Sequence, residues 1–173
     1  MKRRHLGVVL TILLAGGLLV AAGGPSLAAG PLPAKAGFNM KTVARGHYLV
    51  KISGCNDCHT PGYAQQGGTV PETLWLTGDN LGWSGPWGTT YAANLRLFIN
   101  AMTEKQWVAR ARTIKTRPPM PWFTLNAMRT NDLRAMYQFI RYLGPAGTQA
   151  PSFVPPGQMP QGPHVTFPAP PKG

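Results

Sequence analysis

Residues that could form a protein-only metal site or a disulfide framework are scarce in this sequence. Its 173 residues include only two cysteines, Cys55 and Cys58, and four histidines. A structural zinc site takes four nitrogen or sulfur ligands, and outside the segment 55–59 the chain past its N-terminus offers only His47 and His164. A disulfide between two cysteines this close would close too small a loop to stabilise the fold much. Neither a zinc site nor a structural disulfide is therefore expected.

Acidic residues are scarce as well. Asp and Glu together number 5 against 17 Lys and Arg, which gives a formal net charge of +12 at neutral pH. A basic protein attracts nucleic acid, an anionic membrane surface or an acidic protein. The positive charges do not form one tract, which argues against nucleic acid. An acidic docking surface on a protein partner is the interpretation that we favour.

The N-terminal segment has the layout of an export signal. Basic residues at 2–4 precede an apolar run over residues 6–22, and small residues follow at 26–28. This order predicts a signal peptide over residues 1–28, cleaved after Ala28. An uncleaved membrane anchor is the alternative, since the apolar run is near the lower length limit for crossing a bilayer. No cysteine lies near the cleavage site, which excludes a lipoprotein anchor.

The most informative stretch is Cys55-Asn56-Asp57-Cys58-His59. Two thiols at this spacing, with a histidine directly after the second, form the C-x-x-C-H signature of covalent c-type haem attachment. On a helical turn both thiols can reach one porphyrin edge and form thioethers with its vinyl groups, and His59 then offers its imidazole to the iron. A thiol–disulfide redox motif is the competing interpretation. Such a motif is expected beside a strand-helix-strand pattern, which the sequence does not show.

A methionine between two prolines is the candidate for the second axial ligand. In Pro119-Met120-Pro121 the rings fix the backbone and push the preceding residue toward extended geometry, so Met120 cannot lie inside a helix. Its thioether is then held out from a stiffened loop, which suits a ligand that must approach the iron from one direction. The other candidates lie beside predicted helix caps, in the tail or on the helix before the motif: Met102, Met128, Met159, His164 and His47.

Four motifs follow one another along the chain: Gly-x-Tyr-Leu-Val at 46–50, Cys-Asn-Asp-Cys-His-Thr at 55–60, Pro-Pro-Met-Pro-Trp at 118–122 and Asp-Leu-Arg-Ala at 132–135. On these motifs the chain resembles a single-haem, class I type cytochrome c over residues 40–144. It is most similar to the haem domains of the cytochrome subunits of periplasmic alcohol and aldehyde dehydrogenases. The resemblance implies an all-α, small cytochrome c fold, with about four to five short helices and long irregular loops around one covalently bound haem c.

The resemblance also implies the site. Cys55 and Cys58 carry the haem c, and His59 and Met120 are the axial metal ligands. A proline carbonyl downstream of the motif, from Pro71 or its competitor Pro61, is the expected partner of the second imidazole nitrogen.

The function that the resemblance implies is that of a periplasmic one-electron carrier rather than an enzyme. A dehydrogenase or quinol oxidiser would be the electron donor, and an oxidase the acceptor. The chain departs from the dehydrogenase subunits because Arg96-Leu97-Phe98 replaces their Thr-Pro-Asp and only one haem motif is present. Two alternatives stay open: a dedicated cytochrome subunit of a dehydrogenase complex, or an open-site haem protein that senses or converts a small molecule if Met120 is not a ligand.

Apolar spacing and end signals predict two helices around the motif. The first covers residues 41–53, and the resemblance places its Gly46 against the C-terminal helix at Phe139. The second begins with a capping-box pattern at 103–106 and ends near Arg112.

A third helix is capped by Thr130 or Asn131 and stopped by Gly144 followed by proline. After it, a tail with many prolines and few charges is expected to be extended, either wrapped over the globular part or flexible. The predicted layout after the signal peptide has three parts: a linker at 29–40, a cytochrome c domain at 41–144 and a proline-rich tail at 145–173.

Residues 60–95 are rich in glycine and tryptophan and show no convincing period. A loop of this length is unusual in a bare domain, and we expect it to wrap around the cofactor. A basic cluster at 110–117 is either a solvated face, a partner of the haem propionates or a docking surface. The candidates for the pocket wall are Trp75, Leu76, Trp83, Trp87 and Tyr91. The basic cluster consists of Arg110, Arg112, Lys115 and Arg117.

Overall fold

Helices dominate residues 32–168, which are the part of the chain that the computed structural model describes. The elements follow in this order: α1 Met40–Ile52, α2 Cys55–His59, β1 Gly82–Gly85, β2 Gly88–Tyr91, α3 Leu95–Asn100, α4 Glu104–Thr113, α5 Trp122–Ala127, α6 Thr130–Leu143 and β3 His164–Thr166. Residues 32–168 form six α-helices and one three-stranded sheet, so the predicted small helical fold is borne out only in part and the fold is mixed. The all-α class is too narrow, because the three strands form a sheet of order β2-β1-β3.

The core is organised by the crossing of α1 and α6. Gly46 lies at the point of contact, where a Cβ atom would collide with the carbonyl oxygen of Ala135 and lie 2.7 Å from the Cβ of Phe139. Only glycine fits such a close backbone approach. At the edge of the crossing, Arg45 forms an ion pair with Asp132 at 3.0 Å. The predicted contact between Gly46 and Phe139 is therefore present.

The helix ends follow local chemistry with one exception. The predicted capping box is present in α4, where the Thr103 hydroxyl accepts from the Gln106 amide and the Gln106 side chain accepts from the Thr103 amide. Gly144 ends α6 with φ +75°, a conformation that favours glycine. The predicted side-chain cap at the start of α6 is wrong: Arg129 holds that position without one, and the Thr130 hydroxyl instead accepts a hydrogen bond from Arg112 at 2.6 Å.

The sheet and two short helices were not predicted. Strands β1 and β2 form an antiparallel hairpin with Gly82 opposite Tyr91, inside the stretch expected to be an irregular loop. Helix α3 starts where the Asn94 side chain accepts from the amide of Leu97 at 3.0 Å. These elements have three to six residues each, too few for a period to be recognised in the sequence.

The tail packs on the hairpin rather than extending away from it. Val154 and Thr89 exchange two backbone hydrogen bonds, at 2.8 and 3.0 Å. Further on, β3 pairs with β1 in parallel, and the ring of Phe167 lies 5.9 Å from that of Trp83 and 5.5 Å from that of Trp87. Of the two arrangements expected for the tail, its described part adopts the wrapped one.

The predicted signal peptide at 1–28 lies outside the described residues. Within residues 32–168, no helix combines the length and the hydropathy that crossing a membrane requires.

Candidate functional site

A cavity of about 630 Å³ lies between the C-x-x-C-H helix, the hairpin, the loop after α4 and the tail. This volume is within the range of small-molecule and cofactor sites. Four separate parts of the chain form the wall: Cys58 and His59; Trp83, Thr90, Tyr91, Ala92 and Ala93; Lys115, Thr116, Arg117, Pro119 and Met120; and Pro151 and Phe153. The fold therefore brings His59, Met120 and Cys58 to a single cavity, whereas Cys55 is not part of the cavity wall and packs against the hydrophobic core.

The motif occupies one short helix, α2. Gly54 is its N-cap residue, with φ +68°. The Asp57 carboxylate lies close by, 2.9 Å from where a Cβ atom on Gly54 would be. Both cysteines are free thiols and partly buried. Burial, with the nearby Asp57 charge as a smaller cause, raises the pKa of Cys55 to about 12, and the same two causes raise the pKa of Cys58. Thiol–disulfide catalysts need a lowered thiol pKa, so this environment is unlike theirs.

A hydrogen bond at ring nitrogen Nδ1 fixes the orientation of the His59 imidazole. Its side chain is buried, and Nδ1 lies 2.7 Å from the carbonyl oxygen of Ala93. Burial lowers the pKa of His59, although the Ala93 carbonyl works in the opposite direction. A neutral imidazole that donates from Nδ1 keeps the lone pair of Nε2 for a ligand. The expectation of a proline carbonyl, from Pro61 or Pro71, is wrong. The acceptor is the carbonyl of Ala93, just after strand β2.

A hydrogen-bond network connects the motif to the segment that carries Ala93. The Thr60 hydroxyl donates to Asn56 Oδ1 at 2.8 Å and accepts from the Leu76 amide at 2.8 Å. Leu76 has φ +61°, which is strained for a non-glycine residue. Its carbonyl accepts from the Leu95 amide at 2.9 Å. The threonine that follows the motif thus helps to place the carbonyl that orients the motif's histidine.

Met120 lies outside the helices, as its two flanking prolines predict. The loop that carries it is held by the hairpin, because the Thr90 hydroxyl donates to the carbonyl of Pro118 at 2.7 Å. The carbonyl of Met120 accepts from the Trp122 amide at 2.9 Å, just before α5. Met120 is therefore presented to the cavity by a loop with anchors on both sides.

The competing ligands lie elsewhere. His47 binds Glu72 at 2.9 Å and stacks on Trp75, with ring centroids 5.2 Å apart, and His164 is exposed in β3. Met102 and Met128 pack against the hydrophobic core, and Met159 is 81% exposed. None of these side chains lines the cavity.

The aromatic candidates divide into two groups. Trp83 and Tyr91 line the cavity, whereas Trp75 and Leu76 belong to the hydrophobic core. Trp87 is not part of the cavity wall; it donates to the carbonyl of Trp83 at 3.2 Å. The loop at 60–95 therefore contributes both to the core and to the site.

The basic cluster also divides. Lys115 and Arg117 line the cavity, whereas Arg110 and Arg112 do not. Thr116, between the two lining cations, and the tail residue Pro151 were not singled out from the sequence. The apolar side chain of Phe153 indicates that the tail packs on a surface, but not on which one, because all three residues reach the cavity through contacts between distant parts of the chain.

The cavity wall has hydrogen-bond donors without a protein partner. The indole Nε1 of Trp83 and the hydroxyl of Thr116 are buried, and neither has a hydrogen-bond partner among the described residues. Buried donors of this kind are rare in native proteins. Together with the nearby cations Lys115 and Arg117, they fit a large apolar group that carries acidic substituents, as a haem does. Among residues 32–168, no three His, Cys, Asp or Glu side chains meet to hold a metal ion by themselves.

Comparison of the chain with protein-family models, with curated proteins and with solved structures gave no match.

Proposed function

We propose that this protein is a single-haem cytochrome c of the class I type that carries one electron at a time. One haem c would be bound covalently through Cys55 and Cys58, with His59 and Met120 as axial ligands. The observation that carries the proposal is that His59 and Met120, which are far apart in the sequence, line one cavity together with Cys58. The crossing of α1 and α6 at Gly46 supports the assignment to a small cytochrome c fold.

The residues of the chain have separate tasks in this proposal. When bound, the haem supplies an iron that cycles between the ferric and ferrous states. His59 is held in one tautomer and one orientation by the carbonyl of Ala93, and Met120 is held by the loop that Thr90 anchors. A thioether opposite an imidazole raises the reduction potential relative to two imidazoles. With both axial positions taken by protein, the site favours electron transfer over substrate chemistry.

The acidic groups of the haem find partners in the wall. The unpaired donors of Trp83 and Thr116 suit carboxylates, and Lys115 and Arg117 supply opposite charge. Charged hydrogen bonds of this kind are the stronger ones in proteins. Trp83, Thr116, Lys115 and Arg117 are therefore the residues that would hold the acidic groups of the haem.

The site of action and the partners follow from charge and export. The predicted signal peptide supports a periplasmic protein. Removal of its Lys2, Arg3 and Arg4 lowers the formal net charge from +12 to +9, which still supports redox partners with acidic docking surfaces. The electron donor would be a dehydrogenase or quinol oxidiser and the acceptor an oxidase.

The attachment can be tested directly by mass. The full chain is expressed in a bacterial host that attaches haem c to exported proteins, and the mature protein is weighed under denaturing conditions. The account predicts the mass of the chain from Ala29 plus one haem, and a mass without haem in the variant Cys55→Ala/Cys58→Ala. A wild-type protein that is exported and folded but carries no covalent haem would refute the proposal.

A further inference from the structure

The tail contributes a phenylalanine to the cavity although it lies far along the chain from the motif. Phe153 lines the cavity, and its neighbour Val154 is fixed to strand β2 by the two backbone hydrogen bonds with Thr89. The fit is close, because a Cβ atom on Gly88 would lie 3.0 Å from Cε2 of Phe153. The position of this ring is therefore set by the hairpin.

The ring of Phe153 packs against the arginine that begins the methionine loop. The guanidinium carbon of Arg117 lies 3.7 Å from the ring centroid, the shortest such contact among the described residues. A cation over an aromatic face is held electrostatically. Among residues 32–168, Arg117 forms no ion pair, so the ring is the group that its charge contacts.

One strand holds both partners of this contact. Thr89 of β2 binds the tail at Val154, and the next residue, Thr90, binds the loop at Pro118. Between α4 and α5, residues 115–121 belong to no helix or strand, whereas the Ile114 amide still donates to the carbonyl of Arg110 at 2.8 Å at the end of α4. At its ends the loop is held by α5, where Asn126 donates to the carbonyl of Ile114 at 3.3 Å and the Trp122 amide to that of Met120 at 2.9 Å. Between these ends, the hairpin and the tail add the Thr90 hydroxyl and the ring of Phe153.

We propose that Phe153 is a positioning residue, which acts through Arg117 to keep Met120 at the iron-binding side of the cavity. This inference rests on the proposed function, because it assigns Phe153 a task in the ligation by Met120. A thioether is a weak axial ligand compared with imidazole and must approach the iron from one direction. A loop that moves by a small distance loses the bond, so the ligation is sensitive to what holds Arg117.

The experiment compares haem-loaded variants by two measurements. The first is the strength of the weak far-red sulfur-to-iron absorption band. Carbon monoxide binding to the reduced protein is measured beside it, because it increases when the thioether leaves the iron. The second is hydrogen exchange of the Trp122 amide, which donates to the carbonyl of Met120 at 2.9 Å and therefore reports on the loop. The variants are Phe153→Ala, Phe153→Trp, Arg117→Gln and the double variant Phe153→Ala/Arg117→Gln. Met159→Ala is the matched control, because Met159 is in the same tail and 81% exposed.

The proposal predicts that Phe153→Ala and Arg117→Gln each weaken the band and speed exchange in the loop by about 2- to 30-fold, the range that loss of a cation–π contact gives. Phe153→Trp keeps an aromatic face and retains wild-type behaviour, as does Met159→Ala. The double variant is no worse than Arg117→Gln alone, because without the guanidinium the ring of Phe153 has no cation left to hold.

Unchanged exchange and an unchanged band in both single variants would overturn the inference, and so would fully additive effects in the double variant. A wild-type protein without the sulfur-to-iron band would contradict the role of Met120 in the proposed function. In that case the exchange measurement still decides whether Phe153 holds the loop. Exchange in α6 serves as the internal check that each variant is folded.

Discussion

The α1–α6 crossing and the wall of the cavity are stabilised in different ways. At the crossing, apolar side chains are fully buried, and the backbones touch at Gly46. At the cavity, short strands, an irregular loop, the motif helix α2 and the tail meet. Three buried donors in these segments, on Asn56, Trp83 and Thr116, have no partner among the described residues. We infer that the helical part is stable on its own contacts, whereas the cavity part reaches its full stability only with a ligand. The following predictions test this difference.

The largest effect is expected at the helix crossing. Gly46→Ala places a methyl group against the carbonyl of Ala135 and the side chain of Phe139, and neither backbone can move without separating the helices. We expect a loss of about 3 kcal/mol in the free energy of unfolding, the upper part of the usual range for overpacking. Denaturant unfolding measures it, with the exposed Lys51→Ala in the same helix as control. A stable Gly46→Ala variant would show that the crossing is looser than described.

A smaller loss in the free energy of unfolding is expected at Arg96, a buried cation that connects the end of α6 to the loop at Thr73. Arg96 is 5% exposed and donates to the carbonyls of Leu143 at 2.6 Å and Thr73 at 3.1 Å, and also to that of Gly144. Burial lowers the pKa of Arg96. The hydrogen bonds to these carbonyls offset the cost of removing its charge from water. Arg96→Met leaves these carbonyls unpaired, at a cost of about 2 kcal/mol.

The control for this variant is Arg134→Met. Arg134 forms an exposed ion pair with Glu104 at 3.3 Å, and such surface pairs contribute at most about 1 kcal/mol. Equal losses from the two substitutions, measured by thermal or denaturant unfolding, would contradict the role given to Arg96.

The smallest effect on the free energy of unfolding is expected for Trp83→Phe, and its sign should differ between the haem-free and the haem-loaded protein. In the haem-free variant Cys55→Ala/Cys58→Ala, Trp83→Phe removes a buried, unpaired N–H group and should be neutral or stabilising. In the haem-loaded protein the same change should destabilise by about 1 kcal/mol, because the indole then has an acceptor. Unfolding of both forms measures the difference.

Trp107→Phe is the matched control in the helical part. The Trp107 indole donates to the carbonyl of Leu133 at 2.8 Å, so its loss should cost about 1 kcal/mol in both forms. If Trp83→Phe behaved in the same way as Trp107→Phe, the inferred difference between the two parts would be wrong.

The same division explains what could be predicted from the sequence. Helices α1, α4 and α6 follow from apolar spacing, a capping box and a terminal glycine, which are local signals. The partner of Gly46 followed from the family resemblance. The start of α6 was misjudged because the hydroxyl of Thr130 binds Arg112 instead of capping its own helix.

The cavity was only partly predictable, because its wall depends on contacts between distant segments. His59 and Met120 carry local signals, a motif and a pair of prolines. Ala93 carries none, since any residue has a carbonyl, and its place depends on the network through Thr60 and Leu76. The hairpin was missed because its strands are short and rich in glycine. Phe153 reaches the site through the tail's pairing with β2, which no local pattern indicates.

The measurement that tests the central claim most directly is the absorption spectrum of the exported protein, oxidised and reduced, beside that of Met120→Ala. The account predicts a c-type spectrum with the sulfur-to-iron band in the wild type and no carbon monoxide binding at low concentration. It predicts that Met120→Ala loses the band and binds carbon monoxide. A wild-type protein that lacks the band, or that binds carbon monoxide as readily as the variant, would contradict the ligation by Met120 and favour an open site.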